Sequence, residues 1–162
     1  MLKTSATLLI VPGLSVAGTR MLPAVLMLVL LVGASIFDMR ERRLPNAYAA
    51  VMLAVSVVAT VACAGMEALL ANGVTGAVIT LALVGFELGY RRVRGSSGMG
   101  MGDIKALVPL MVVNPSCALM AFAVGLLALA LAGLLLHRRA LPFLPFLTFG
   151  WLLMGCLGTC SV

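Results

Sequence analysis

MLPAVLMLVLLVGASIFDMRERRLPN, residues 21–46, decides the architecture. From Met21 to Phe37 no side chain is charged. Then Asp38, Arg40, Glu41, Arg42 and Arg43 arrive together, followed by Leu44-Pro45-Asn46. An uncharged run that stops at a charge cluster reads as a helix in hydrocarbon, which is about 30 Å thick and takes about 20 residues to cross. Working outward, the pattern recurs at Leu44–Ala64, Ala68–Gly89, Ser116–Leu136 and Leu141–Cys160. Ile104–Val113 is a shorter run, closed by Asn114-Pro115 and reaching only about 15 Å. The chain is 63% hydrophobic and 10% charged, with a mean hydropathy of +1.21. Soluble domains are about a quarter charged, so a soluble enzyme, a disordered tail and a nucleic-acid binder are excluded. The expectation is an all-α, polytopic membrane bundle of about six transmembrane helices, with the lipid bilayer as its solvent.

Basic residues orient the bundle. Arg40, Arg42 and Arg43 follow the first run; Arg91, Arg92, Arg94 and Lys105 lie between the third and fourth; Arg138 and Arg139, beside His137, lie between the fifth and sixth. The alternate connections, 65–67 and 114–115, hold no Lys or Arg. If the short fourth run crosses, nine of eleven basic residues share one face, which the positive-inside bias makes cytoplasmic. Residues 21–160 then form one six-helix membrane domain. Residues 1–20, with Lys3, Pro12-Gly13 and Arg20, form a weak apolar segment. It reads either as a signal-like or extra span, or as sequence ahead of a natural start at Met21.

The chain has two aspartates, and the same topology puts both at cytoplasmic helix ends. Asp38 closes the first run; Asp103 opens the fourth in Gly98-Met99-Gly100-Met101-Gly102-Asp103-Ile104-Lys105. Two neighbouring carboxylates at the edge of a dry environment share one proton, because both ionised would repel. One then activates a water as general base while its protonated partner polarises a carbonyl, with no metal or cofactor. Glycines ahead of Asp103 let the backbone approach an extended substrate. The plainer readings are an N-cap at Asp103 and a solvated interfacial charge at Asp38. Each aspartate alone favours the plain reading; the pair on one face favours chemistry.

Gly100-Met101-Gly102-Asp103-Ile104-Lys105 resembles the GxGD motif of intramembrane aspartyl proteases, in the form with a trailing Lys seen in type IV prepilin peptidases. Asp38 through Asn46 is similar to that family's first-aspartate motif, an Asp, a basic stretch and Ile/Leu-Pro-Asn. Leu141-Pro142-Phe143-Leu144-Pro145-Phe146-Leu147 resembles its PFGPFL-like opening of the last helix. Leu144 stands where glycine is common, a departure expected to touch the local turn and not the active site.

The resemblance implies a prepilin peptidase, an aspartic-type endopeptidase that removes the basic leader of type IV or Flp prepilins and pseudopilins at the cytoplasmic face of a bacterial inner membrane. Asp38 and Asp103 would be catalytic; Gly100, Gly102, Lys105, Pro45 and Asn46 would support substrate and loop. The short Arg40–Arg43 connection leaves no room for the methyltransferase region and tetracysteine zinc loop of larger members, so the chain looks like the minimal tight-adherence type. The rival readings are a small transporter or a secretion-system subunit using Asp38 and Asp103 as a proton or cation site. A transporter should carry midplane acids and an inverted repeat, and neither is visible.

Other residues carry less. Cys63, Cys117, Cys156 and Cys160 show no CxxC spacing and read as helix packing rather than disulfides. Glu87 is expected to pair with Arg91 one turn on. His137 reads as an interfacial anchor. Lys105 holds the glycine stretch, neutralises charge near Asp103 and so lowers its pKa, or extends to headgroups.

Overall fold

The computed structural model describes residues 16–41, 44–95, 100–137 and 141–158, with side chains from residue 22 onward. These form α1 (Val16–Glu41), α2 (Asn46–Arg94), α3 (Met101–Val113), α4 (Pro115–Leu136) and α5 (Leu144–Cys156), with no strand among the described residues. The protein is all-α. Leu22–Glu41, α2 and α4 are long and apolar enough to cross a membrane. Helix α1 begins at Val16 and so takes in residues on both sides of Met21.

The second and third apolar runs form one element. A straight helix of 49 residues would measure about 74 Å, more than twice the hydrocarbon thickness. The backbone leaves helical geometry at Gly65 (φ 88°, ψ 175°), a region open in practice only to glycine. The chain reverses there, because Thr60 and Asn72, on either side, both donate to the Val112 carbonyl, at 3.3 and 3.2 Å. Beyond the bend the second arm runs back along α3. Gly76 lies against the Met111 side chain, and Thr80 Oγ1 contacts its sulfur at 3.9 Å.

Helix α3 lies at the centre. Ile104, Ala106, Leu107 and every residue from Pro109 to Val113 are buried, as an element apolar on all sides must be. Its 13 residues reach about 20 Å, and it starts three residues earlier than the apolar run because Met101-Gly102-Asp103 form its first turn. Pro115 cannot donate, and Val112 and Val113 lie at the helix C-terminus, where carbonyls lack partners. Asn72 Nδ2 supplies them, donating to Val112 and Val113 at 3.2 and 2.9 Å. Asn72→Ala removes those donors and is expected to lower stability by about 1–3 kcal/mol. Thermal unfolding in detergent reads this directly, and an unchanged midpoint would contradict it.

Helices α4 and α5 pack backbone to backbone. A Cβ on Gly125 would lie 3.1 Å from the Phe146 carbonyl oxygen, and one on Gly150 would strike the Ala121 carbonyl. Such small-residue contacts are how helices associate in lipid. Helix α5 occupies 144–156, shorter than the run 141–160. Pro145 sits in its first turn, Gly158 beyond its end takes φ 73°, and Cys160 lies outside the described residues. Trp151 Nε1 donates to the Ala24 carbonyl at 3.0 Å, and Thr148 bridges to Ser35 at 2.7 Å, fixing α5 on α1. The outer faces, among them Val25, Val29, Leu127, Leu131 and Leu135, stay exposed and apolar, as a lipid-facing surface requires.

Cys117 is disulfide-bonded, which corrects the packing reading for that cysteine; Cys63 and Cys156 are free. His137 takes φ 50° as the C-cap of α4 and does not line the cavity described next. Glu87 is buried, and Arg91 Nε donates to its Oε1 at 2.6 Å, so the expected pair forms.

Candidate active site

The helix ends opposite Gly65 and Val113 enclose a cavity of about 870 Å³. The end of α1 contributes Asp38 and Glu41, and the approach to α2 contributes Leu44, Pro45 and Asn46. Gly100, Met101, Gly102, Asp103 and Lys105 come from the mouth of α3, Leu126 and Leu129 from α4, and Leu141–Leu144 from the entry to α5. All seven residues singled out in the sequence line this one space: Asp38, Asp103, Gly100, Gly102, Lys105, Pro45 and Asn46. Gly98 and Met99 lie outside the described residues.

Gly100, not Asp103, is the N-cap of α3, extended at φ −68° and ψ 132°. Asp103 is the third helical residue. Its amide donates to the Gly100 carbonyl at 3.0 Å, while its carboxylate accepts from the Gly100 backbone N–H. This is the returning arm of a capping box, made by an aspartate. The carboxyl lies so close that a Cβ on Gly100 would sit 2.9 Å from Asp103 Oδ2. Glycine is needed here for space, since its φ is ordinary. Gly102 faces the chain at Leu44, with 3.8 Å between a would-be Cβ and the Leu44 amide nitrogen.

Asp103 lies just ahead of the apolar run Ile104–Val113. Its pKa is raised from 3.8 to about 6, first by burial and then by the charge of Asp38, with the Gly100 N–H opposing. The two carboxyl groups therefore feel one another across the cavity. Asp38 Oδ2 accepts a hydrogen bond from the Leu144 amide at 3.2 Å, at the first residue of α5. That corrects the reading of Leu144 as a departure without bearing on the site, for its backbone N–H touches the aspartate. No side chain signals such a contact; only the Leu141–Leu147 motif marks the segment. Glu41, also passed over in the sequence, lines the cavity one helical turn beyond Asp38.

Lys105 Nζ donates to Asn46 Oδ1 at 2.8 Å. That bond ties α3 to the start of α2, a partner none of the three readings named, and the Asp103 pKa is raised by burial and by Asp38 rather than lowered by Lys105. No group of three or more metal-ligating side chains occurs among the described residues.

A search of curated proteins and one of solved structures return no match. A family profile does match, described as the type IV leader peptidase family and covering residues 24–159. That span holds both aspartates and every helix except the first turns of α1, and it weighs against the transporter reading. By that match the chain belongs to the type IV leader peptidase family.

Proposed function

We propose that the protein is an aspartic endopeptidase of the bacterial inner membrane, and that it removes the basic leader from type IV or Flp prepilins at the cytoplasmic face. The observation that carries this reading is the coupling of Asp38 and Asp103 in one cavity at the mouth of the bundle. Asp103, with its raised pKa, holds the shared proton, and Asp38 acts as base. A water loses a proton to Asp38 and its oxygen attacks the scissile carbonyl carbon, while Asp103 gives its proton to the carbonyl oxygen. Collapse of the resulting diol returns a proton to Asp103. The amide nitrogen leaves with the proton held by Asp38.

Two features support the cytoplasmic orientation. Arg91, Arg92 and Arg94 end α2 on the side of the cavity, since the second arm runs back along α3. Cys117 begins α4 at the opposite end, beside Val113, and its disulfide suits an oxidising compartment. An apolar substrate helix would enter from the bilayer and unwind at the boundary. The leader would then meet Asp38, Glu41 and Asp103, with Lys105 the one cation among the described lining residues.

The test is co-expression with a prepilin, reading leader loss by gel mobility and product mass. An uncleaved prepilin beside correctly inserted protein would refute the reading. A finer expectation concerns Glu41. Glu41→Gln should raise KM about two- to fivefold for a leader with Lys or Arg, the size of one exposed charge pair. The effect should vanish when the leader's cations are replaced by Gln; an equal effect on both leaders would sink this role.

A further inference from the structure

The Lys105–Asn46 hydrogen bond crosses the mouth of the cavity between α3, which carries Asp103, and the start of α2, eight residues beyond Asp38. Lys105 stands on α3, two residues beyond Asp103. Asn46 is the first residue of α2, directly after the segment that leads away from Asp38. Simple electrostatics would send the ammonium to a carboxylate, and Asp38, Glu41 and Asp103 all line the same space. It goes instead to a neutral amide oxygen. Residues i and i+2 of a helix do not face one another, which turns Lys105 away from Asp103 and across the gap to α2. Nearby, Gly102 of α3 faces Leu44, two residues ahead of α2, where a would-be Cβ would lie 3.8 Å away. On the far side Asp38 is fixed by the Leu144 amide. Asp103 has no comparable tie to α1 among the described residues; its hydrogen bonds stay within its own helix.

We propose that Lys105 and Asn46 form a positioning strut, which holds the mouth of α3 against the start of α2 and so sets the separation of Asp38 and Asp103. Neither residue touches the reacting atoms in this role. The strut rests on the endopeptidase reading above. An exposed hydrogen bond of this kind contributes little to stability. Misplacement of a reacting group by about 1 Å is worth on the order of a hundredfold in rate. Loss of the strut is therefore read in turnover rather than in folding.

The experiment uses the full chain in detergent and a synthetic peptide spanning a prepilin leader and the first apolar residues beyond it. Asn46→Ala and Lys105→Met should each lower kcat by about ten- to a hundredfold, with KM within about twofold. The double variant should be no worse than either single one, because both remove the same bond. Asn46→Asp, which keeps an acceptor oxygen facing Lys105, should restore most of kcat. Asn72→Ala, the tie at the other end of α3, serves as the structural comparison and should lower the melting temperature without lowering kcat.

The strut is overturned if Lys105→Met raises KM and leaves kcat alone, which would mean direct substrate contact. Multiplying losses in the double variant, or a loss of melting temperature alone as with Asn72→Ala, would overturn it equally. If Asp38→Asn or Asp103→Asn still cleaves, the endopeptidase reading itself fails. If both are inactive while Asn46→Ala is normal, only the strut fails.

Discussion

Asp38→Asn and Asp103→Asn are each expected to reduce leader removal by about 10³–10⁴-fold, because each removes one half of the proton exchange at the scissile bond. The two variants should differ in stability. The pKa of Asp103 is higher in the folded chain, at about 6, than the ordinary 3.8, so its stabilising contribution is complete at low pH and is lost as pH rises through about 6. Asparagine has no such loss. Asp103→Asn should therefore equal or exceed the wild type in stability above pH 6, by up to about 1–2 kcal/mol after allowance for partial solvent access, read as an equal or higher melting temperature. In the proposed mechanism the same shift would set the alkaline limb of activity. Cleavage would need the Asp103 proton, so kcat should fall as pH rises through about 6, and Asp103→Asn should have no residual activity carrying that limb. A pH–rate profile flat from pH 5 to 8 would remove Asp103 from the proton-holding role.

Gly150→Ala is the second large effect. The added methyl would meet the Ala121 carbonyl, with the Ala121 Cα 3.2 Å away, and backbone cannot swing aside as a side chain does. Overpacking of this kind costs about 1–3 kcal/mol. Gly155→Ala, on the same helix, meets nothing within 4 Å and should gain about 0.5–1 kcal/mol from the better helix former. The signs are opposite for one chemical change. Because the first residue of α5 hydrogen-bonds Asp38, a displaced α5 should also lower kcat in Gly150→Ala. Equal melting shifts in the two variants would show that the α4–α5 contact is looser than described.

Much of this was legible in the sequence because it is written in side chains of unusual type or placement. Charge is so scarce that Asp38 and Asp103 single themselves out, and the motifs around them name residues that meet in one cavity. The apolar runs locate the helices to within a few residues, and Arg91, Arg92 and Arg94 end α2 on the side of the mouth. What escaped is carried by the backbone or by contacts between distant segments. The amide that holds Asp38 belongs to Leu144, whose side chain gives no hint of it. Gly150 and Gly155 look alike in an apolar run, yet one meets a neighbouring backbone and the other open space. The bond from Lys105 to Asn46 joins residues whose separation in sequence carries no periodic signal. Cys117 has no CxxC neighbour, so its disulfide could not be read from spacing.

The bend at Gly65 makes α2 a hairpin with both feet on the side of the cavity. Between Asn46 and Tyr90 its only charged residues are Glu67, beside the tip, and Glu87, buried with its arginine. During membrane insertion such a hairpin can enter as a unit, because the tip takes only one carboxylate through the hydrocarbon. The feet are another matter. Arg40 stands before the first arm and Arg91, Arg92 and Arg94 close the second, and each guanidinium at the bilayer centre costs about 2.5–3.5 kcal/mol on insertion scales. Inversion would have to drag this cluster across, so the hairpin works as a one-way latch on topology. The charges that resist inversion thus stand at the same end of the molecule as the cavity into which both aspartates open.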